Sequence, residues 1–280
     1  MKNIVVVFLV FLFSSTTFAQ TENIKVMTYN IRCGFCEDSS NVNNWSKRKY
    51  LVAYLIKNHN PDLIGLQEAE MFQVKDLIEM LDEYYWYGVS REDGKVGGES
   101  TAILYKTKRL TLEAKQTLWL SENPGLVSKG WDAMFKRTVT ITKLNDLKSQ
   151  KEFYYFNTHF DHVGEIARTE SSKLLVNEIG KYDTDYPVIL SGDFNYTSSS
   201  DGYKIITSKL SDSKYISKTK SIGGNITFNG FGNDIQPDNK IDFIFVNDKV
   251  EVLNHIIDTT TFNGLYPSDH YPVIADLLLK

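Results

Sequence analysis

Apolar and polar positions alternate over residues 24–31 in a β-rich run that predicts a first strand. Over residues 45–59 the period changes: Arg48, Leu51, Val52, Leu55 and Ile56 recur at helical spacing until Pro61 stops them. Residues 62–66 form a short apolar strand leading into Gln67-Glu68, and residues 72–81 a second amphipathic helix. Strand-like runs then dominate, at 84–89, 100–105, 110–120, 137–144 and 153–159. Residues 165–181 return to the helical period, with Ala167, Ser171, Leu174, Leu175, Glu178 and Ile179 along one face. A strand over 187–190 ends at Gly192-Asp193, and runs at 241–246, 250–258 and 271–279 close the chain as strands. Many strands with few helices predict a mixed α/β chain of two packed sheets with helices outside, unlike a doubly wound sheet. No repeat, low-complexity block or linker divides it, so one domain is expected over residues 20–280.

The first residues read as a targeting segment. Lys2 supplies a positive start, residues 4–13 are almost purely apolar, and Ser14 to Ala19 form a small, polar exit. The apolar run is too short to span a bilayer comfortably. A signal peptide over residues 1–19, cleaved near Ala19, is therefore expected, and with it a secreted or periplasmic location. No later stretch is apolar enough to cross a membrane, and a monomer is expected. The chain is net acidic, at −4. That argues against a broad basic surface for gripping nucleic acid, while leaving a local basic cleft open. The only cysteines, Cys33 and Cys36, follow a strand and enter a polar loop. A short disulfide is the expectation in an exported chain, with free thiols and redox chemistry as the alternatives.

Candidate chemistry gathers where strands end. Asn30 sits late in the first strand, Glu68 follows Leu66-Gln67, and His159 ends Phe156-Asn157-Thr158. Asp193 and Asn195 follow Leu190-Ser191-Gly192, Asp242 opens Phe243-Ile244-Phe245, and Asp269-His270 precedes Tyr271-Pro272. Singly, a Gly-Asp turn or a Ser-Asp pair is ordinary turn chemistry. Six such stations in one order, all at strand ends that can converge on one rim, are harder to dismiss. Among the remaining polar residues, His59 and His255 read as structural and His162 as a solvated loop residue. Trp45 reads as packing, Lys47-Arg48-Lys49 as a solvated helix face, and Trp131 and Asp132 as open candidates for a cleft wall.

The ordered pieces TYNI, LQE, NTHFDH, GDFN, IDFIFV and SDHYPV, spread over residues 28–273, resemble the endonuclease/exonuclease/phosphatase superfamily. Its members include deoxyribonucleases, abasic-site endonucleases, deadenylases, sphingomyelinases and inositol-polyphosphate phosphatases. The resemblance implies a four-layer α/β sandwich, with two packed, mainly antiparallel β-sheets flanked by helices. It also implies Mg²⁺ or Mn²⁺ held by Glu68 and Asn30, with Asp269 nearby. Asp193 would orient or deprotonate the attacking water, helped by Asn195. His270, oriented by Asp242, would contact the scissile phosphate, and His159 would donate to a phosphate oxygen. Glu99 resembles the acid that orients that second histidine, and Arg137 a phosphate-contacting arginine. Oxygen ligands suit a hard cation, and a carboxylate beside an imidazole fixes its tautomer and favours its charged form. The expected partner is a phosphoester, small or lipid-derived in preference to nucleic acid, because the chain lacks a clustered basic surface.

Overall fold

The computed structural model describes residues 23–233 and 235–280, so the expected signal peptide over residues 1–19 lies outside the described residues. The chain runs β1 (Ile24–Asn30), α1 (Trp45–His59), β2 (Leu63–Gln67), β3 (Ala69–Glu70), α2 (Met71–Met80), β4 (Tyr84–Tyr87), β5 (Glu99–Ser100), β6 (Ile103–Lys106) and β7 (Leu110–Trp119). It continues with β8 (Thr138–Asp146), β9 (Lys151–His159), α3 (Glu165–Ile179), β10 (Val188–Asp193), α4 (Asp201–Thr207), β11 (Ser211–Asp212), α5 (Ser213–Ile216), β12 (Asp242–Val246), β13 (Val250–Ile257) and β14 (Val273–Leu279).

Two six-stranded sheets result, ordered β13-β14-β1-β2-β6-β4 and β11-β12-β10-β9-β8-β7. Each has one parallel pair at its centre, β1 with β2 and β9 with β10, and antiparallel neighbours elsewhere. A parallel pair needs a crossover, and α1 and α3 supply it. α1 starts where the Asn44 side chain accepts the Ser46 N–H and ends at Asn60, left-handed at φ 53°, before Pro61. α2 begins with a capping box between Glu70 and Gln73.

Strand parity sorts the core into three apolar layers. Ile24, Val26, Leu63, Phe153, Tyr155, Ile189, Ile244 and Val273 meet between the sheets. Met27, Tyr29, Ile64 and Leu66 face the other way, onto Val52 and Ile56 of α1 and Val74 and Leu77 of α2. Val188, Leu190, Phe243 and Phe245 pack on Leu175 and Ile179 of α3 and Ile206 of α4. The chain is thus a helix–sheet–sheet–helix sandwich. Each of these fully buried aliphatic or aromatic side chains contributes about 1.5–3 kcal/mol by leaving water.

Short elements escaped the sequence pattern: α4, α5, β3, β5 and β11 are too brief to show a period. The residues 100–105 run is broken at Thr101-Ala102, so that Ser100 pairs with Ala69 while Ile103 pairs with Gly65. Arg48 departs from its expected place on a solvated helix face. It is 2% exposed, and its guanidinium donates to the carbonyls of Asn43 (2.8 Å), Arg32 (2.8 Å) and Ile31. Buried carbonyls at the end of β1 need donors, and a guanidinium carries five N–H groups to supply them.

A polar bridge also crosses between the sheets. Asn157 Nδ2 donates to the Leu66 carbonyl at 2.8 Å and the Ala102 carbonyl at 3.0 Å, and its Oδ1 accepts from Gln67 Nε2 at 2.7 Å. Gly65 leaves room for this bridge: a Cβ there would lie 2.5 Å from Asn157 Oδ1 and 2.5 Å from the Tyr155 hydroxyl. Gly65→Ala is expected to destabilise the fold by about 2 kcal/mol through overpacking. Thermal unfolding should show it as a loss of roughly 4–8 °C, and an unchanged melting temperature would contradict this account of the bridge.

Candidate active site

Strand direction and parity together build the site. The parallel strands β1, β2, β9 and β10 run toward one rim and deliver their C-terminal residues Asn30, Gln67 with Glu68, His159 and Asp193. The antiparallel strands begin at that rim, so Asp242 opens β12, Arg137 precedes β8, and Asp269-His270 lead into β14. The inward parity of Ile24, Val26, Tyr155, Ile189 and Ile244 continues to Asn30, His159, Asp193 and Asp242, which therefore face the other sheet. The result is a cleft of about 440 Å³. Glu68, Glu99, Arg137, His159, Asp193, Asn195, Asp269 and His270 line it, and Asn30 and Asp242 lie fully buried behind. Three non-glycine residues here have left-handed backbone, Arg32 (φ 57°), Glu68 (φ 57°) and Asn195 (φ 50°). Such strain concentrates at functional sites.

One group is centred on Asp193. Asn30 Nδ2 donates to its Oδ2 at 2.9 Å, and the Asn195 N–H to its Oδ1 at 2.9 Å. His270 Nδ1 donates to Asp242 at 2.9 Å, which turns Nε2 toward Asp193, 3.7 Å away. Burial pulls His270 toward neutrality, but the charges of Asp242 and Asp193 outweigh it and push its pKa up to about 10. Burial, reinforced by Asp242, pushes Asp193 up to about 7. His159 has the opposite setting. Burial, with Arg137 and Arg91 beside it, holds it well below its ordinary value, so its ring is neutral. Arg137 Nη1 lies 2.9 Å from its Nδ1, and Asn195 Nδ2 lies 3.1 Å from its Nε2. The two histidines are thus a buried cation and a neutral ring. Between them lies a carboxylate poised to exchange a proton near neutrality.

A second group is acidic. Glu68 accepts the Cys33 N–H at 3.0 Å and Asn30 Nδ2 at 3.1 Å, and Arg32 stands between Glu68 (3.8 Å) and Asp269 (3.7 Å). Burial would raise Glu68, but Arg32, His270 and these hydrogen bonds outweigh it and lower its pKa. Asp269 is raised by burial and by Glu68. Two carboxylates from separate strands sharing one cationic head form a hard-oxygen donor set that fits Mg²⁺ or Mn²⁺. Asn30 turns its amide nitrogen toward Glu68 and Asp193, and its oxygen accepts the Arg32 N–H. Asp193, Asp242 and His270 also bring ligand atoms within 4.8 Å of one another. Cys33 and Cys36 are joined in a disulfide, the first of the sequence alternatives.

The far wall is basic and aromatic. Glu99 makes its short contact with Arg91 Nη1, at 2.6 Å, and stands 4.0 Å from both His159 Nδ1 and Arg137 Nη1. Burial and Glu68 push Glu99 up to about 7. Phe135 stacks on His162, which is exposed and contacts Arg137 Nη2 at 3.1 Å. Arg32, Arg91, Phe135 and Phe228 line the cleft and were missed in the sequence. Arg32 was findable, since it follows Asn30 at the same parity; nothing in the sequence marks Arg91. Of the open candidates, Asp132 accepts the Ala167 N–H at 2.7 Å and so caps α3, while Trp131 is not among the cleft-lining residues.

Comparison with known proteins agrees with this architecture. The Endonuclease/Exonuclease/phosphatase family profile matches residues 27–270, and the chain belongs to that family. Its members hydrolyse phosphoester bonds, and this chain is such a hydrolase. An endonuclease/exonuclease/phosphatase of Bacteroides vulgatus is 37% identical with TM-score 0.86, covering 92% of this chain and 99% of its own. The mannosyl-6-phosphatase Bt3783 of Bacteroides thetaiotaomicron is 33% identical with TM-score 0.86, covering 91% of this chain and 100% of its own. Nocturnin of Drosophila melanogaster is 25% identical over 193 residues, 62% of this chain; the matched part is 29% of Nocturnin's own length.

Two predictions follow from this geometry. If Asp242 acts through His270, their losses do not add. Asp242→Asn/His270→Ala should then have a kcat/KM within about threefold of His270→Ala alone, and multiplicative losses would detach Asp242 from His270. The other prediction concerns Asp161, which accepts the N–H groups of Met134, Phe135, Val163 and Gly164 and thereby holds the loop that carries Phe135. Burial would raise its pKa, but these bonds outweigh it and lower the value. The stability it contributes is therefore present above the ordinary carboxyl pKa of about 4 and is lost as pH falls further. Asp161→Asn should destabilise at pH 7 by about 2 kcal/mol and flatten the acid side of the stability–pH curve. Parallel acid limbs for variant and parent would contradict this role.

Proposed function

We propose that the protein is an exported, divalent-metal-dependent phosphatase that removes phosphate from a phosphorylated carbohydrate. The observation that carries the reading is the likeness, over nearly the whole of both chains, to a mannosyl-6-phosphatase. The cleft supports it independently. Its volume of about 440 Å³ suits a small ligand. Arg32, Arg91 and Arg137 all reach it, which is generous cationic provision for a monoester dianion. Export rests on the N-terminal targeting pattern of Lys2, the apolar run and Ala19.

The chain's own residues divide the chemistry. Glu68 and Asp269, with Asn30 behind them, would hold the cation, which when bound supplies Lewis-acid stabilisation of phosphoryl oxygens. Asp193 takes the proton from the attacking water at Oδ2, since burial leaves it basic enough near neutrality. Asn30 and the Asn195 N–H hold that carboxylate in place. The His270 cation, fixed by Asp242, faces the phosphate with Nε2–H and offsets the charge that develops there. His159 and Arg137 contribute neutral and charged donors from the opposite wall.

The experiment is a substrate comparison on the purified chain with Mg²⁺, with Mn²⁺ and with chelator. kcat/KM is expected to be at least about tenfold higher on hexose 6-phosphates than on bis(p-nitrophenyl) phosphate or plasmid DNA. Chelation should abolish turnover. Glu68→Gln should cost at least about 10²-fold in kcat with the melting temperature unchanged. DNA or RNA cleavage that outruns every small phosphoester would replace this reading with that of a secreted nuclease. Full activity in chelator would remove the metal from it.

A further inference from the structure

Beside the cleft lies a wider groove of about 650 Å³, and Cys36 lines both. The ridge between them is the disulfide loop and one ion pair, Arg32 to Glu37 at 3.2 Å, with Arg32 on the cleft side and Glu37 on the groove side. The loop is firmly held. The N–H groups of Gly34 and Phe35 both donate to Glu70 Oε2, at 2.8 and 3.2 Å, and the Cys33–Cys36 disulfide closes it. Gly34 rests directly on Phe72, where a Cβ would come within 2.2 Å of the ring. Phe35 is 80% exposed at the groove, with its ring centroid 4.7 Å from that of Phe72. An exposed phenyl ring on a loop pinned by two backbone bonds and a disulfide is a rigid platform facing water.

We propose that this groove is the subsite for the uncharged remainder of the substrate, an oligosaccharide whose phosphorylated terminal unit occupies the cleft. The proposal rests on the sugar-phosphatase reading and names what lies beyond the phosphorylated unit. Charge decides the class of ligand. Glu37, Asp38 and Asp76 line the groove against a single lysine, Lys49, which is already bound to Asp76 at 3.2 Å. A nucleic acid leaving the cleft this way would bring a phosphate with each nucleotide against carboxylates, and like charges there cost affinity. A lipid tail would need continuous apolar walls, and here the rings of Phe35, Trp45 and Phe72 share the wall with carboxylates, an amide and hydroxyls. A neutral polyhydroxylated chain suits both surfaces: its C–H faces lie on Phe35, and its hydroxyls donate to Asp38. Neither residue belongs to the catalytic machinery, so the groove can be altered with the cleft intact.

The test pairs a binding measurement with a kinetic one. Unphosphorylated mannotetraose, titrated into the full chain by NMR, should bind with about millimolar affinity. Phe35→Ala and Asp38→Ala should each weaken it by about tenfold or more. On substrates, wild type should favour mannotetraose phosphorylated at its terminal O6 over mannose 6-phosphate by about tenfold in kcat/KM. Phe35→Ala should erase that advantage and leave mannose 6-phosphate within about twofold of wild type. Equal rates on the two sugar phosphates, with no shift of groove resonances by mannotetraose, would overturn the subsite. So would a short oligonucleotide that displaces mannotetraose from Phe35. Failure of the sugar-phosphatase reading would show separately, as no turnover of mannose 6-phosphate, while the neutral-oligosaccharide titration still judges the groove on its own.

Discussion

A two-residue period, kept in register on two facing sheets, is the constraint from which the rest of the molecule follows. Ile24, Val26 and Thr28 place Asn30 on the inward face of β1, and Ile189 and Ser191 place Asp193 on the inward face of β10. The two side chains then meet across the gap, with Asn30 Nδ2 2.9 Å from Asp193 Oδ2. A one-residue slip in either strand would turn its polar end toward the helices and cost the buried partner this hydrogen bond, a penalty on top of the lost apolar packing. Thus the same alternation that fills the inter-sheet core also aims the polar residues at the rim. The Asn157 bridge to Leu66 and Ala102 fixes the spacing of the sheets one layer below.

Holding this many ionisable groups at a buried rim is costly unless each has a partner. The pairing is systematic. Asp242 is given to His270, Glu99 to Arg91, and Glu68 and Asp269 to Arg32. Beneath them Arg48 forms no ion pair among the described residues; it ties down the carbonyls where β1 ends. Asp193 has His270 at 3.7 Å and His159 at 3.5 Å, and both contacts are longer than a hydrogen bond. With its histidine neighbours at that distance and the Asp242 charge close by, the burial of its own charge is only partly offset. That is a physical reason for its raised pKa and for its suitability as the base.

Long, strongly periodic elements were legible in the sequence. Residues 45–59 showed helical spacing stopped by Pro61, and the structure places α1 at those residues. The mixed α/β class was legible too, because its strands outnumber its long helices, and the family resemblance supplied the two-sheet sandwich. What stayed hidden depends on contacts distant in sequence. Arg48 looked solvated because its neighbours Lys47 and Lys49 are charged, and only the fold brings the Pro267 carbonyl to within 3.3 Å of it. Arg91 enters the cleft because the Ser90-to-Glu99 turn folds back on Glu99, a pairing without a local signature. Glu99 itself was found through a motif, and the structure gives its shortest contact to Arg91, with Arg137 and His159 farther off.

The disulfide loop joins the two halves of this picture. Glu68 and Glu70 flank Ala69 at the same parity and reach the same loop: Glu68 takes the Cys33 N–H, while Glu70 takes those of Gly34 and Phe35. Glu70 also begins α2 through its capping box with Gln73. The Gln73 side chain in turn donates to the Arg32 carbonyl at 2.9 Å, the carbonyl that Arg48 also holds. Helix start, loop and acidic group are therefore one hydrogen-bonded unit, whose backbone donors are spent on carboxylates that would otherwise repel one another. A loop held in this way can present Phe35 outward and Cys33 inward together. The groove wall and the acid group behind it are thus positioned by the same few backbone bonds, in which the Phe35 side chain takes no part.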